Sequence, residues 1–148
     1  MQRPAPRTLV AAIDRNVTPL LHLPGNLISP SLTGSPMWLF TTSGFYSIVE
    51  KPWDRATGTL TVRARVAADL DRLRSGVLPA LGPTVQDPTA DYRFRAQAPR
   101  EAVALAVAQA VRDLDYDNFK SAVGKAQGHT RAHIYHDVWA AALKLQTG

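Results

Sequence analysis

The chain has no cysteine, which excludes disulfide staples, thiolate metal sites and cysteine nucleophiles together. Its 148 residues must therefore hold themselves with an ordinary hydrophobic core, which a single domain of this length can bury. Lysine is nearly missing: it stands only at Lys51, Lys120, Lys125 and Lys144, and every other fixed cation is arginine. No apolar run approaches the roughly 18 residues that a membrane-spanning helix needs. The best stretch, Leu9 to Leu23, is broken by Asp14, Arg15, Asn16 and Pro19. Arg3 and Arg7 ahead of Leu9-Val10-Ala11-Ala12 echo a secretory signal, but Asp14 and Arg15 cut its apolar part too short. No phosphate loop, dinucleotide fingerprint, nucleophile elbow or kinase motif occurs. These absences lead to the expectation of a cytoplasmic protein with no membrane association, no cofactor and no visible catalytic engine.

What is present is an ordinary globular composition, 45% hydrophobic and 20% charged, with a formal net charge of +5. That sign favours acidic or phosphate-bearing partners.

Proline is spread unevenly. Pro4, Pro6, Pro19, Pro24, Pro30 and Pro36 crowd residues 1–36, where only Thr8 to Leu23 offers a short helix. A dense hydrophobic run opens at Met37. The expected organisation is a Pro-rich extension over 1–36, or an upstream misread of the start, followed by one α+β domain over 37–148. Expression from Met37 tests it.

Within that domain Trp38 to Thr42 and Phe45 to Glu50 read as strands broken at Ser43-Gly44. The loop Pro52 to Gly58 leads to a strand from Thr59 to Val66, so the two flanking strands are expected to pair as a hairpin. Asp69 to Leu78 has helical spacing at Leu70, Leu73 and Val77, and a loop then runs to Asp91. A strand from Tyr92 to Ala98 precedes a helix that Pro99 opens, with Val103, Val107, Val111 and Leu114 as its buried stripe. Asp117 is the expected cap of a short helix ending at Val123, and Gly124 to Gly128 reads as loop. Thr130 then caps a last helix that turns Ile134, Val138, Ala141 and Leu145 to the core. The expected fold is a ferredoxin-like α+β sandwich, an antiparallel or mixed sheet of about four strands with helices on one face.

The most informative pattern is a repeated one. Val62-Arg63-Ala64-Arg65 and Tyr92-Arg93-Phe94-Arg95 each run from a strand into a helical stretch. Strand side chains alternate between faces, so Leu60, Val62 and Ala64 share one face with Tyr92, Phe94, Ala96 and Ala98. Arg63, Arg65, Arg93 and Arg95 then gather on the other, because the opposite parity would bury guanidinium groups. Such a face suits single-stranded nucleic acid, RNA or DNA, with Trp53 as a stacking platform flanked by Lys51 and Arg55. A plain solvated sheet face explains the same residues, with Glu50 as their counter-charge. The RNA-recognition consensus is missing, and outward aromatics are lacking on the two arginine strands.

Two weaker constellations accompany it. His129, His133 and His136 stand at i, i+4 and i+7, a spacing that puts three imidazoles on one helix face and can hold a metal; the glutamate of a zinc-protease helix is absent, and a solvated polar face accounts for the spacing as well. Asp113, Asp115 and Asp117 around a helix break suit a divalent cation and a metal-dependent nuclease, yet they also fit plain capping.

Trp38-Leu39-Phe40-Thr41-Thr42-Ser43-Gly44-Phe45-Tyr46-Ser47, with Val62-Arg63-Ala64-Arg65 and Asp115-Tyr116-Asp117-Asn118-Phe119-Lys120, resembles a family of small uncharacterised bacterial proteins. The resemblance runs from about Met37 to the end, members begin near that methionine, and no activity comes with it. The expected functions are therefore a nucleic-acid-binding domain, then a homodimerisation module, then a nuclease.

Overall fold

The computed structural model describes residues 35–115 and 118–146. The extension expected over 1–36 lies outside them but for Ser35 and Pro36. The strands are β1 (Met37–Phe40), β2 (Phe45–Val49), β3 (Thr59–Ala64), β4 (Val85–Gln86) and β5 (Phe94–Pro99). The helices are α1 (Pro52–Thr57), α2 (Ala67–Ser75), α3 (Arg100–Arg112), α4 (Phe119–Gln127) and α5 (His129–Leu143), with a 3-10 turn at Lys144–Gln146.

The strands form one five-stranded sheet in the order β1-β2-β3-β5-β4, every neighbour antiparallel. The α+β class and the β2–β3 hairpin follow the sequence expectation. The element order, ββαβαββααα, does not follow the βαββαβ order of a ferredoxin-like sandwich. The additional strand, β4, is a two-residue edge inside the stretch expected to be loop.

Tight local chemistry sets the first turn. Thr41 Oγ1 accepts from the Ser43 and Gly44 backbone N–H groups, and the Thr41 N–H donates to Gly44 O at 2.9 Å. Residues 52–57, expected as loop, form α1: Pro52 supplies a helical φ at its first position, and Gly58 at φ +66° reverses the chain into β3.

One sheet face carries the core. Tyr46, Ile48, Val62, Ala64, Ala96 and Ala98 pack against Leu70 and Leu73 of α2 and Val103 and Ala106 of α3, closed by Leu78 and Leu81. Each of the larger aliphatic chains contributes roughly 1.5–3 kcal/mol by leaving water. The helices do not all lie on that face. The Asp54 side chain of α1 bonds Thr59, Thr61 and Gln97, which point away from the core.

The C-terminal helices depart furthest from expectation. Asn118 caps α4 by accepting from the Ser121 N–H at 3.2 Å, while the expected cap, Asp117, lies outside the described residues. The helix runs through the expected loop to Gln127, and α5 starts at His129 with Gly128, not Thr130, as its cap. α4 and α5 pack mainly on each other. The stripe expected to be buried in α5 is instead solvent-facing, with Ile134 52% exposed and Val138 and Leu145 also exposed. Tyr135 is the buried residue of that helix, because docking runs through Arg131 and Tyr135 on a different face. Of the stripe expected to be buried on the third helix, Val103 is buried, but Val111 and, beyond the end of α3, Leu114 are exposed.

Candidate nucleic-acid interface

Antiparallel register decides which side chains share the outer face. Trp38 pairs with Ser47, Ser47 with Arg63, Arg63 with Arg95 and Arg95 with Val85, so these five form one row across the whole sheet. The two arginine strands are therefore neighbours, and Arg63 lies directly opposite Arg95 on the face away from the core. Beside that row sits a second: Phe40 pairs with Phe45, and their rings stack at 4.3 Å between centroids. Trp38 meets Phe45 edge-on at 5.6 Å and is 65% exposed.

Tyr92 organises the arginines. It precedes β5, and the strand alternation expected to send it to the core does not reach it. Its ring lies on the outer face, 3% exposed, with Arg63 Cζ 4.6 Å and Arg65 Cζ 4.8 Å from its centroid and Phe45 at 6.1 Å. Two cations over one ring are favourable through its quadrupole.

Hydrogen bonds fix the rest. Arg63 Nη2 donates to Ser47 Oγ at 2.7 Å, Arg65 Nη1 to the Asp91 carbonyl at 2.9 Å, and Arg95 Nη2 to Asp87 Oδ2 at 3.2 Å. Among the described residues, Arg95 alone of these three arginines has a carboxylate in ion-pair contact. Hydrogen bonds from the Thr89 hydroxyl and backbone N–H, with Arg95 nearby, hold Asp87 below the usual carboxylate range. Glu50, the counter-charge expected from sequence, instead binds Arg55 at 3.3 Å and Arg100 at 2.6 Å. The Arg93 side chain is exposed and makes no hydrogen bond or ion pair with a described residue. Arg63 Nε, Arg95 Nε and the Tyr92 hydroxyl are buried without a hydrogen-bond partner among the described residues.

Trp53 and Arg55 belong to α1 and Lys51 immediately precedes it, at the end of the outer face where Thr61 and Gln97 lie. Trp53 is exposed, Arg55 is held by Glu50 and Lys51 is the helix N-cap. Their anchor is Asp54, 0% exposed. It accepts from the Lys51 N–H, both threonine hydroxyls and Gln97 Nε2, all at 2.7–2.8 Å. Burial pushes this carboxyl up, but the four hydrogen bonds outweigh it and hold the group below its ordinary value.

A second buried carboxylate, Asp69, ties α5 to the sheet. It accepts from Arg72, from both Arg131 arms at 3.0 and 3.1 Å, and from the Phe45 N–H at 3.2 Å. Beside it, burial above all pushes the Tyr46 hydroxyl up to about 12. This cluster closes a fold contact and leaves the Asp69 carboxylate buried.

The metal candidates stay apart. His133 and His136 are 6.3 Å apart between ring centroids, His136 stacks on Trp139, and its Nδ1 lies 3.3 Å from Lys120 Nζ. Neither the histidines nor Asp115 belong to any group of three His, Asp or Glu placed to share an ion among the described residues; Asp117 lies outside them. No helix of the described residues is long and apolar enough to cross a membrane.

Trp38, Phe45 and Tyr92 are the residues of this face that sequence parity missed. The signal for the first two was the register of the Ser43-Gly44 turn, which puts Trp38 and Phe45 on the side of Ser47. Comparison of the chain with family models, with curated proteins and with solved structures finds no match.

Proposed function

We propose that the protein is a small cytoplasmic nucleic-acid-binding domain that holds single-stranded RNA or DNA on its outer sheet face. The observation that carries this reading is the in-register row Trp38–Ser47–Arg63–Arg95. Like charges directly opposite each other destabilise a sheet, and Asp87 compensates only part of the cluster. A phosphate chain supplies the missing negative charge, while Trp38 offers a ring on which any base can stack. Lys51 and Trp53 extend the same face through α1, and Arg93 adds an exposed cation ahead of β5.

Fluorescence anisotropy with labelled single- and double-stranded oligonucleotides at two salt concentrations tests it. The expected result is tighter binding of the single strand, weakening steeply with salt. Absence of binding by the intact protein at low salt overturns the proposal.

A second reading rests on a different observation. Ile134, Val138, Trp139 and Leu143 leave α5 with an exposed apolar flank, which suits homodimerisation. Light scattering separates the two readings: a dimer insensitive to salt favours this one, a monomer at all concentrations removes it.

A further inference from the structure

Among the described residues, the core side of the sheet is not filled to its edge. A cavity of about 760 Å³ opens between β1, β2, the end of α2, α3 and the start of α4, within the 300–1,000 Å³ typical of small-ligand sites. Its walls are apolar: Leu39 and Ile48 from the sheet, Val77 from just past α2, Val107 and Ala110 from α3, Phe119 from α4. Its polar groups sit at two ends. Thr41, Thr42, Ser43 and Tyr46 bring hydroxyls from the first turn, and Asp113 and Asp115 stand at the C-terminal end of α3.

The charge pattern is what singles out a ligand. In a chain of net charge +5, the cavity lining holds, among the described residues, two carboxylates and no lysine, arginine or histidine. The last turn of α3 adds the negative end of its helix dipole to the same rim. Asp113 accepts from Gln109 Nε2 at 2.7 Å, a neutral donor that leaves its charge in place.

We infer that this cavity is a binding site for a small cationic amphiphile, an apolar body seated among Leu39, Val107 and Phe119 with a protonated amine at Asp113 and Asp115. The site is on the opposite side of the sheet from the arginine face and does not rest on the nucleic-acid reading.

Titration calorimetry of the full chain with 4-phenylbutylamine, 4-phenylbutan-1-ol and 4-phenylbutyrate tests it. The amine is expected to saturate at one per chain and to bind at least tenfold more tightly than the alcohol, with the carboxylate weaker still. The double variant Asp113→Asn/Asp115→Asn should bring the amine to the affinity of the alcohol and leave the alcohol unchanged, a comparison that needs no core substitution. Ala110→Trp, checked for folding by circular dichroism, should abolish binding of all probes. Equal affinities for the three probes, absence of saturation, or one ligand per two chains with a dependence on protein concentration each overturns the inference.

Discussion

A carboxylate that is 1% exposed persists in a fold only where its charge is met, and Asp69 is met by Arg72, by the fork of Arg131 and by the Phe45 N–H. Asp69→Asn removes that charge and leaves two guanidinium groups without a counter-ion, so it should cost about 3 kcal/mol in urea unfolding. The cost falls at the low end of the range for buried pairs because Arg72 and Arg131 are themselves partly exposed. Gly44 works beside it for a steric reason. A Cβ there would lie 2.6 Å from the Tyr46 hydroxyl and 2.8 Å from Asp69 Cγ, both fixed by the same network, and Gly44→Ala should destabilise by roughly 1–3 kcal/mol. Tyr92 gives the opposite expectation. Its hydroxyl is buried without a partner among the described residues, while its ring carries Arg63 and Arg65. Tyr92→Phe should therefore leave the melting temperature unchanged or raise it slightly, and Tyr92→Ala should lower it clearly. A loss of oligonucleotide affinity in the phenylalanine variant, with stability intact, would assign the hydroxyl to the ligand.

At the scale of elements, α1 shows how a short helix is held. Six residues make a marginal helix on their own, and α1 is pinned by one carboxylate that reaches both β3 and β5. The folded Asp54 carboxyl titrates below its ordinary value of 3.8. Its contribution is thus complete above that value, where the unfolded chain is also ionised, and is lost as pH falls through the lower folded value. Thermal melts between pH 7 and pH 2 should show the wild type losing stability below about pH 4, with Asp54→Asn less stable at pH 7 and flatter in acid. β1, β2, β3 and β5, with the core side of β3, β5, α2 and the first half of α3, were legible because alternation and 3.6-residue spacing report burial directly. Tyr92 was misplaced because two residues before β5 the pleat no longer applies. α5 was misread for a related reason: its apolar stripe is regular, but Arg131 and Tyr135, a cation and a phenol, face inward to reach Asp69 and Phe40. Polar docking of this kind leaves no periodic apolar signal. α1 was taken for a loop because its pinning partners are 43 residues apart at the extreme, from Asp54 to Gln97.

For the molecule as a whole, charge is distributed by side. Among the described residues the outer sheet face concentrates arginine and the rim of the inner cavity holds Asp113 and Asp115, while the sequence carries a net excess of +5. If phosphates replace the counter-charge that the outer face lacks, each arginine contacting the backbone should add to the salt dependence. For single strands the logarithmic slope changes by about 0.7 per contact. Arg65 and Arg93 are the exposed members of the signature and neither is in an ion pair with a carboxylate of the described residues, so they can be changed with least disturbance to the fold. The double variant Arg65→Ala/Arg93→Ala should keep its melting temperature within a few degrees and lose about 1.4 from the slope of log K against log salt. Trp38→Ala should behave differently, weakening binding by about 1–3 kcal/mol at every salt concentration with the slope preserved. A slope unaltered in the arginine variant would place the phosphates elsewhere on the protein. A tryptophan variant that binds as tightly as the wild type would leave the face a purely electrostatic one, and the in-register row would then owe its aromatic end to packing against Phe45 alone.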